Sequence, residues 1–283
     1  MLTAAREQMD GEPRRFKTPT LAQYRRLVFP GALASRAAIA ACLFGSFAFL
    51  PLVMAQGAAT RRRVPCLPPA RPPHHGLVPG AGRSIRLLAV GESTVCGVGL
   101  ARGDEAVAAT TARALARLTG RPVAWRGEGM PGATVSDARA RLLPRIACEP
   151  ADLLIVAFGV NDATAYNSPR VFADELAELV TAMRNRIGDA AVVVAGVAPL
   201  DRFPALPWPL RNILGWRSVA LQAAADGLTR RLPRLVVERF SQPFVPDLFS
   251  RDGFHPNWRA HAIWGEEIAA LARPLVDGTV TAR

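Results

Sequence analysis

Lysine is nearly missing from this chain: Lys17 is the only one, and arginine carries the remaining basic charge. The glycine-bounded stretch 91–97 therefore holds no lysine to meet a phosphate, which argues against a nucleotide-binding phosphate loop. Histidine is also scarce. There are four, no two at helical ligand spacing, and the adjacent His74 and His75 sit among prolines and read as solvated. No metal site is expected from such a set. The four cysteines, Cys42, Cys66, Cys96 and Cys148, make no C-x-x-C pair and no even framework, and a chain of 283 residues needs no disulfides to be stable. Zinc-finger, basic-zipper and aromatic RNA-binding patterns are absent as well, so nucleic acid is not an expected partner.

Charge of one sign is concentrated at one end. The formal net charge is +12, of which residues 1–75, with 11 basic and 3 acidic side chains, hold +8. Basicity placed this way points to a membrane surface before nucleic acid. Residues 1–36 form a basic segment, and residues 37–60 carry no charge at all. As a helix the uncharged run would be roughly 36 Å long, enough for the ~30 Å hydrocarbon core. A single-pass N-terminal anchor in the cell membrane is the first expectation, with a cleaved signal and a secreted or periplasmic product as the alternative. Both flanks are basic, so the positive-inside rule does not orient it. Residues 61–83, rich in Arg, Pro and Gly, read as an extended linker without regular structure. The main folded domain is expected over 84–283.

From residue 84 the pattern alternates. Strand-like runs fall at 85–90, 122–126, 152–158, 191–197 and 234–240, with helical stretches near 104–119, 134–146, 170–187, 216–231 and 258–275. Asp104 reads as one helix cap, and Ser168 before Pro169 as another. Residues 153–158 are apolar throughout, as suits a parallel strand covered on both faces. The alternation predicts a three-layer α/β/α sandwich on a five-stranded parallel sheet. In such sheets functional groups gather at the carboxyl ends of the strands.

The strand ends carry a consistent set of residues. The first runs into Gly91-Glu92-Ser93, the second into a loop holding Gly132, and the third into Gly159-Val160-Asn161-Asp162; past the fifth comes Asp252-Gly253-Phe254-His255-Pro256-Asn257. Each supplies a part that acyl transfer needs. Ser93 is the nucleophile, His255 the base that takes its proton, and Asp252 the carboxylate that fixes the imidazole tautomer. The Ser93 N–H, the Gly132 N–H and the Asn161 amide are the donors for a developing oxyanion. Singly, each residue also has an ordinary reading as a helix cap, a turn or a loop glycine. Thr94 is a rival nucleophile and His261 a rival base, both ranked below. Cys96 reads as packing, Asp162 as an anchor for the Asn161 loop, and the uncharged stretch 203–210 as either the wall of an acyl pocket or a packed loop.

In this order the residues resemble the SGNH, or GDSL-type, hydrolase superfamily, whose Ser, Gly, Asn and His match Ser93, Gly132, Asn161 and His255, with Asp252 as the Asp of D-x-x-H. The resemblance covers residues 85–275. It implies a flavodoxin-like sheet and cofactor-free cleavage of a small-molecule or lipid ester, through a Ser-His-Asp triad and an acyl-enzyme. Three positions depart from the family pattern: Glu92 stands for the usual Asp, Gly127 for an Asn, and Met130-Pro131 for Ile-Ser. Stretch 203–211 is similar to a bacterial subset with a basic, apolar N-terminal anchor. An acyltransferase or deacylase on a glycan or lipid shares the same acyl-enzyme chemistry, and a non-catalytic binding module on a membrane stalk is the reading from a different class.

Overall fold

The structure, a computed structural model, describes residues 49–278 except 242 and 243. Its strands are β1 (His75–Val78), β2 (Ile85–Gly91), β3 (Val123–Gly129), β4 (Leu153–Ala157), β5 (Ala191–Val194) and β6 (Leu235–Val237). They form one sheet in the order β1-β3-β2-β4-β5-β6, with β1 antiparallel to β3 and every other pair parallel. The longer helices are α1 (Leu50–Arg63), α2 (Val107–Thr119), α3 (Pro169–Ile187), α4 (Leu210–Ala225) and α5 (Trp258–Val276).

The layers follow from period-2 alternation. Leu88, Val90, Leu154, Val156, Val192 and Val194 point to one face and pack with Phe172, Leu176 and Leu214 of α3 and α4. Ile85, Leu87, Ala89, Leu153, Ile155 and Val193 point to the other, against Leu115 of α2 and Ile268 of α5. β4 is buried along its whole length, as its apolar run requires. Ser168 caps α3 by accepting from the Val171 N–H, with Pro169 in the first turn. Asp104 does not cap α2: it is held by Arg102 in a 3₁₀ turn, and the helix starts at Val107. The helix expected at 134–146 breaks into a short α turn, a π stretch over Ala138–Leu142 and a 3₁₀ turn over Leu143–Arg145. Pro144, which lacks an N–H, forbids regular continuation there.

The parallel sheet expected with five strands is thus a mixed one with six, because the Pro-rich stretch 61–83 does contribute structure. β1 pairs His75 with Arg126 and Val78 with Val123, and so satisfies the free edge of β3. Local composition disfavours a strand here; pairing to an edge overrides it. The Ala70 N–H also donates to the Cys96 carbonyl, so the stretch lies on the domain.

Of the expected anchor, residues 37–48 lie outside the described residues. The rest enters α1, which docks on the domain. Val53 is buried in the core, the Gln56 amide donates to the Trp208 carbonyl at 2.8 Å, and Arg63 donates to the Ala205 carbonyl at 3.0 Å. Among the described residues no helix is long and apolar enough to cross a membrane.

Chain direction then positions the site. β2 is followed by β3 on one side and by β4 on the other, so the connections diverge at the carboxyl ends of β2 and β4. That divergence opens a crevice in doubly wound sheets, because no connection covers the gap. Ser93 lies two residues past the end of β2.

Candidate active site

Gly91 ends β2 in register with Gly129 of β3 and Ala157 of β4. A Cβ on Gly91 would lie 2.5 Å from both the Ala157 carbonyl and the Val95 side chain. Only glycine passes this point, and the chain then turns so that Ser93 is half-buried while Glu92 is buried. Ser93 Oγ lies 3.1 Å from His255 Nε2. His255 Nδ1 lies 2.6 Å from Asp252 Oδ2. The other Asp252 oxygen accepts from the N–H groups of Phe254 and His255, each at 3.0 Å. Burial pushes the Asp252 carboxyl up, but the His255 ring and these two N–H donors outweigh it and hold the group below the usual carboxylate range. It is therefore an anion at neutral pH, fixed before any substrate arrives.

The turn carrying Asp252 and His255 is held from both ends. The Ser250 N–H donates to the His255 carbonyl at 2.7 Å, Gly253 sits at φ +63°, and Asn257 caps α5 through the N–H groups of Arg259 and Ala260.

The donors come from two loops. Gly132 has φ +76° with nothing within 4 Å of a Cβ, so backbone conformation and not crowding calls for glycine. Among the described residues, neither the Gly132 nor the Ser93 N–H has a hydrogen-bond partner. Asn161 is the second residue of a short helix, Val160–Thr164, and its Nδ2 donates to the Ala133 carbonyl at 3.1 Å and to Glu92 Oε2. Glu92 also accepts from the Val160 and Asn161 N–H groups. The Gly91, Gly132 and Asn161 loops are thereby one hydrogen-bonded unit. Asp162 is fully buried and accepts from Val135 N–H and Asn167 Nδ2; burial raises its pKa to about 6. It ties the helix to the Gly132 loop from behind.

Ser93, Phe254 and His255 border a pocket that opens to solvent. Its walls are Phe158, Phe203, Phe240, Phe244, Phe249 and Phe254 with Ile263 and Trp264. The rings pack on one another, with Phe203 5.1 Å from both Phe249 and Phe254. Stretch 203–210 therefore divides its roles: Phe203 and Leu206 are buried, whereas Trp208 is exposed. Among the described residues no Lys or Arg side chain lines the pocket. Gly132 and Asn161 are not among its walls.

The rival assignments separate clearly. Thr94 borders the pocket, but the bond to His255 comes from Ser93. The His261 ring is fully buried with no hydrogen-bond partner among the described residues, and burial lowers its pKa to about 3. Cys96 is half-buried, and burial raises its thiol to about 11, far from a reactive thiolate. Among the described residues no group of His, Cys, Asp or Glu is arranged to hold a metal ion.

Two features escape a reading of the sequence. One is the hold of Glu92 on Asn161, signalled only by the extra methylene at that position. The other is a buried pair, Glu238 and Glu267, near the Trp264 end of the pocket. Glu238 accepts from Gly196 N–H at 2.7 Å, and burial and then Glu267 raise its pKa to about 8.

Fold and site define an α/β class with a serine just past the carboxyl end of a parallel strand. Residues 89–263 match the model of the GDSL-like lipase/acylhydrolase family, and the chain belongs to that family. It is 32% identical over 189 residues to a GDSL-like esterase of Mycobacterium tuberculosis, an overlap of 63% of this chain and 59% of that protein. The chain thus spans about six tenths of the length of this relative. Among solved structures it is similar to a family 3 carbohydrate esterase of Clostridium thermocellum, at TM-score 0.55 and 14% identity, over 70% of this chain and all of that one. A lipase/acylhydrolase of Enterococcus faecalis gives TM-score 0.51 and 20% identity over 70% of this chain and 98% of that one. At such identities the likeness is one of fold.

Proposed function

We propose that the chain is a serine esterase acting on esters with an apolar acyl group. Ser93 attacks the acyl carbon while His255 Nε2 takes the hydroxyl proton, and Asp252 holds the opposite ring nitrogen protonated. The oxyanion is met by the N–H groups of Ser93 and Gly132 and by the Asn161 amide. His255 then returns the proton to the leaving alkoxide, and water resolves the acyl-enzyme by the same steps in reverse. The single observation that carries this reading is the row Asp252–His255–Ser93, at 2.6 and 3.1 Å, opening on a phenylalanine-walled pocket. The apolar walls favour an aliphatic or aromatic acyl chain over acetate, because each buried methylene contributes about 0.8 kcal/mol.

The test is hydrolysis of p-nitrophenyl esters from acetate to laurate by the full chain and by Ser93→Ala. Turnover should fall by about 10⁴-fold or more in the variant, and kcat/KM should rise with chain length before levelling. Equal turnover in both proteins rejects the nucleophile; a flat or acetate-peaked series rejects the acyl assignment of the pocket.

A further inference from the structure

Glu92 occupies the position next to the nucleophile that the family usually gives to Asp, and its longer side chain reaches a group the mechanism needs. An amide NH₂ has two hydrogens. Both hydrogens of Asn161 are spent inside the protein, one on the Ala133 carbonyl and one on Glu92 Oε2. The Ala133 bond is part of what joins the Asn161 and Gly132 loops. The Glu92 bond is therefore the one an incoming oxyanion must displace or share.

The charge on Glu92 decides whether it can. An ionised carboxylate holds an amide hydrogen about twice as strongly as a neutral acceptor does. It also places a negative charge one hydrogen bond away from where the transition state develops its own, in a site of low dielectric. A neutral Glu92 holds the amide in place without opposing the oxyanion.

We propose that Glu92 is a positioning residue for the Asn161 donor, and that turnover requires Glu92 in its protonated form. This rests on the esterase reading and on Asn161 as an oxyanion donor. The surroundings favour the neutral form. Glu92 is 4% exposed, and burial raises its pKa to about 8 against the opposing Asn161 and Val160 N–H groups. Asp162, beside Asn161 on the short helix, raises it further, and among the described residues no cation offsets it. His255 and Glu267 line the same pocket as Glu92, and the Cys96 N–H donates to the Glu92 carbonyl on its own turn.

The experiment is the pH dependence of kcat and KM from pH 6 to 9.5 for the wild type, Glu92→Gln and Ser93→Ala, with uncatalysed hydrolysis subtracted. Gln keeps the length and an acceptor oxygen but cannot ionise. The wild type should lose tenfold or more in kcat as the pH passes about 8, at nearly constant KM. In Glu92→Gln the same fall should shrink to under threefold. A residue with a merely structural role would lower the whole profile without changing its shape. If Glu92→Gln does not fold, Glu92→Asp carries the test: the shorter carboxyl draws back from Asn161 Nδ2, and the alkaline fall should lessen. Ser93-dependent turnover with the same alkaline fall in the wild type and the variant overturns the inference alone. Turnover that does not depend on Ser93 overturns the esterase reading and this inference with it.

Discussion

Asp252→Asn should leave the fold nearly intact and remove almost all turnover. In the native turn one Asp252 oxygen accepts two backbone N–H groups at 3.0 Å, and the other faces His255 Nδ1 at 2.6 Å. An asparagine satisfies both backbone donors only by keeping its carbonyl oxygen on them. Its NH₂ then faces Nδ1. Because that group can only donate, Nδ1 must become the acceptor and the ring proton must move to Nε2. There it points at Ser93 Oγ, 3.1 Å away, and the ring has no lone pair free to take the serine proton. The loss expected from a wrong tautomer is about 10³–10⁴-fold in kcat, or about 4–5.5 kcal/mol of transition-state stabilisation. Binding is untouched, so KM should stay within about threefold. Stability should change by about 1 kcal/mol, the net worth of one altered hydrogen bond. The assay is kcat and KM on the preferred p-nitrophenyl ester, beside urea unfolding of both proteins. A folded Asp252→Asn enzyme within tenfold of wild-type kcat would refute the tautomer argument.

Two further outcomes follow from packing and burial. Gly91→Ala should destabilise by about 1–3 kcal/mol, because the new methyl meets the Ala157 carbonyl and Val95. It should also lower kcat by moving Ser93, and unchanged unfolding and turnover would show that the β2 exit is looser than its contacts indicate. Glu238→Gln should flatten the pH dependence of stability. A carboxyl raised by burial to about 8, well above the usual carboxylate range, binds its proton more tightly in the folded chain. Its stability contribution is therefore complete below the unfolded pKa and is lost as pH rises through about 8. Thermal unfolding at pH 5.5 and 8.5 should show a smaller loss in the variant than in the wild type. Glu92 titrates in the same direction, so part of the slope should persist; equal losses in both proteins would remove Glu238 from the account.

Much of the fold was legible along the chain because it rests on local periodicity. The apolar run of β4, the Ser168-Pro169 start of α3 and the helical stretch near 258–275 are statements about neighbours in sequence. So is the D-x-x-H turn, in which Asp252 and His255 meet across three residues. β1 was not legible. Four residues among prolines become a strand only because β3 has a free edge, and an edge is a property of the assembled sheet. Nor could residues 203–210 be sorted in advance, since Phe203 enters the pocket and Trp208 faces solvent according to what lies beneath them.

At the site, residue types and their order along the chain could be read from the sequence, and they named Ser93, Gly132, Asn161, Asp252 and His255. Tertiary structure decided which of two histidines meets Ser93, 162 positions from His255. It also decided that phenylalanines from four separate segments close one pocket, and that the methylene distinguishing Glu92 from Asp is used to grip Asn161. Local chemistry is written in spacing. Contacts between strand ends depend on sheet order and on where connections diverge, and these exist only once the chain has folded.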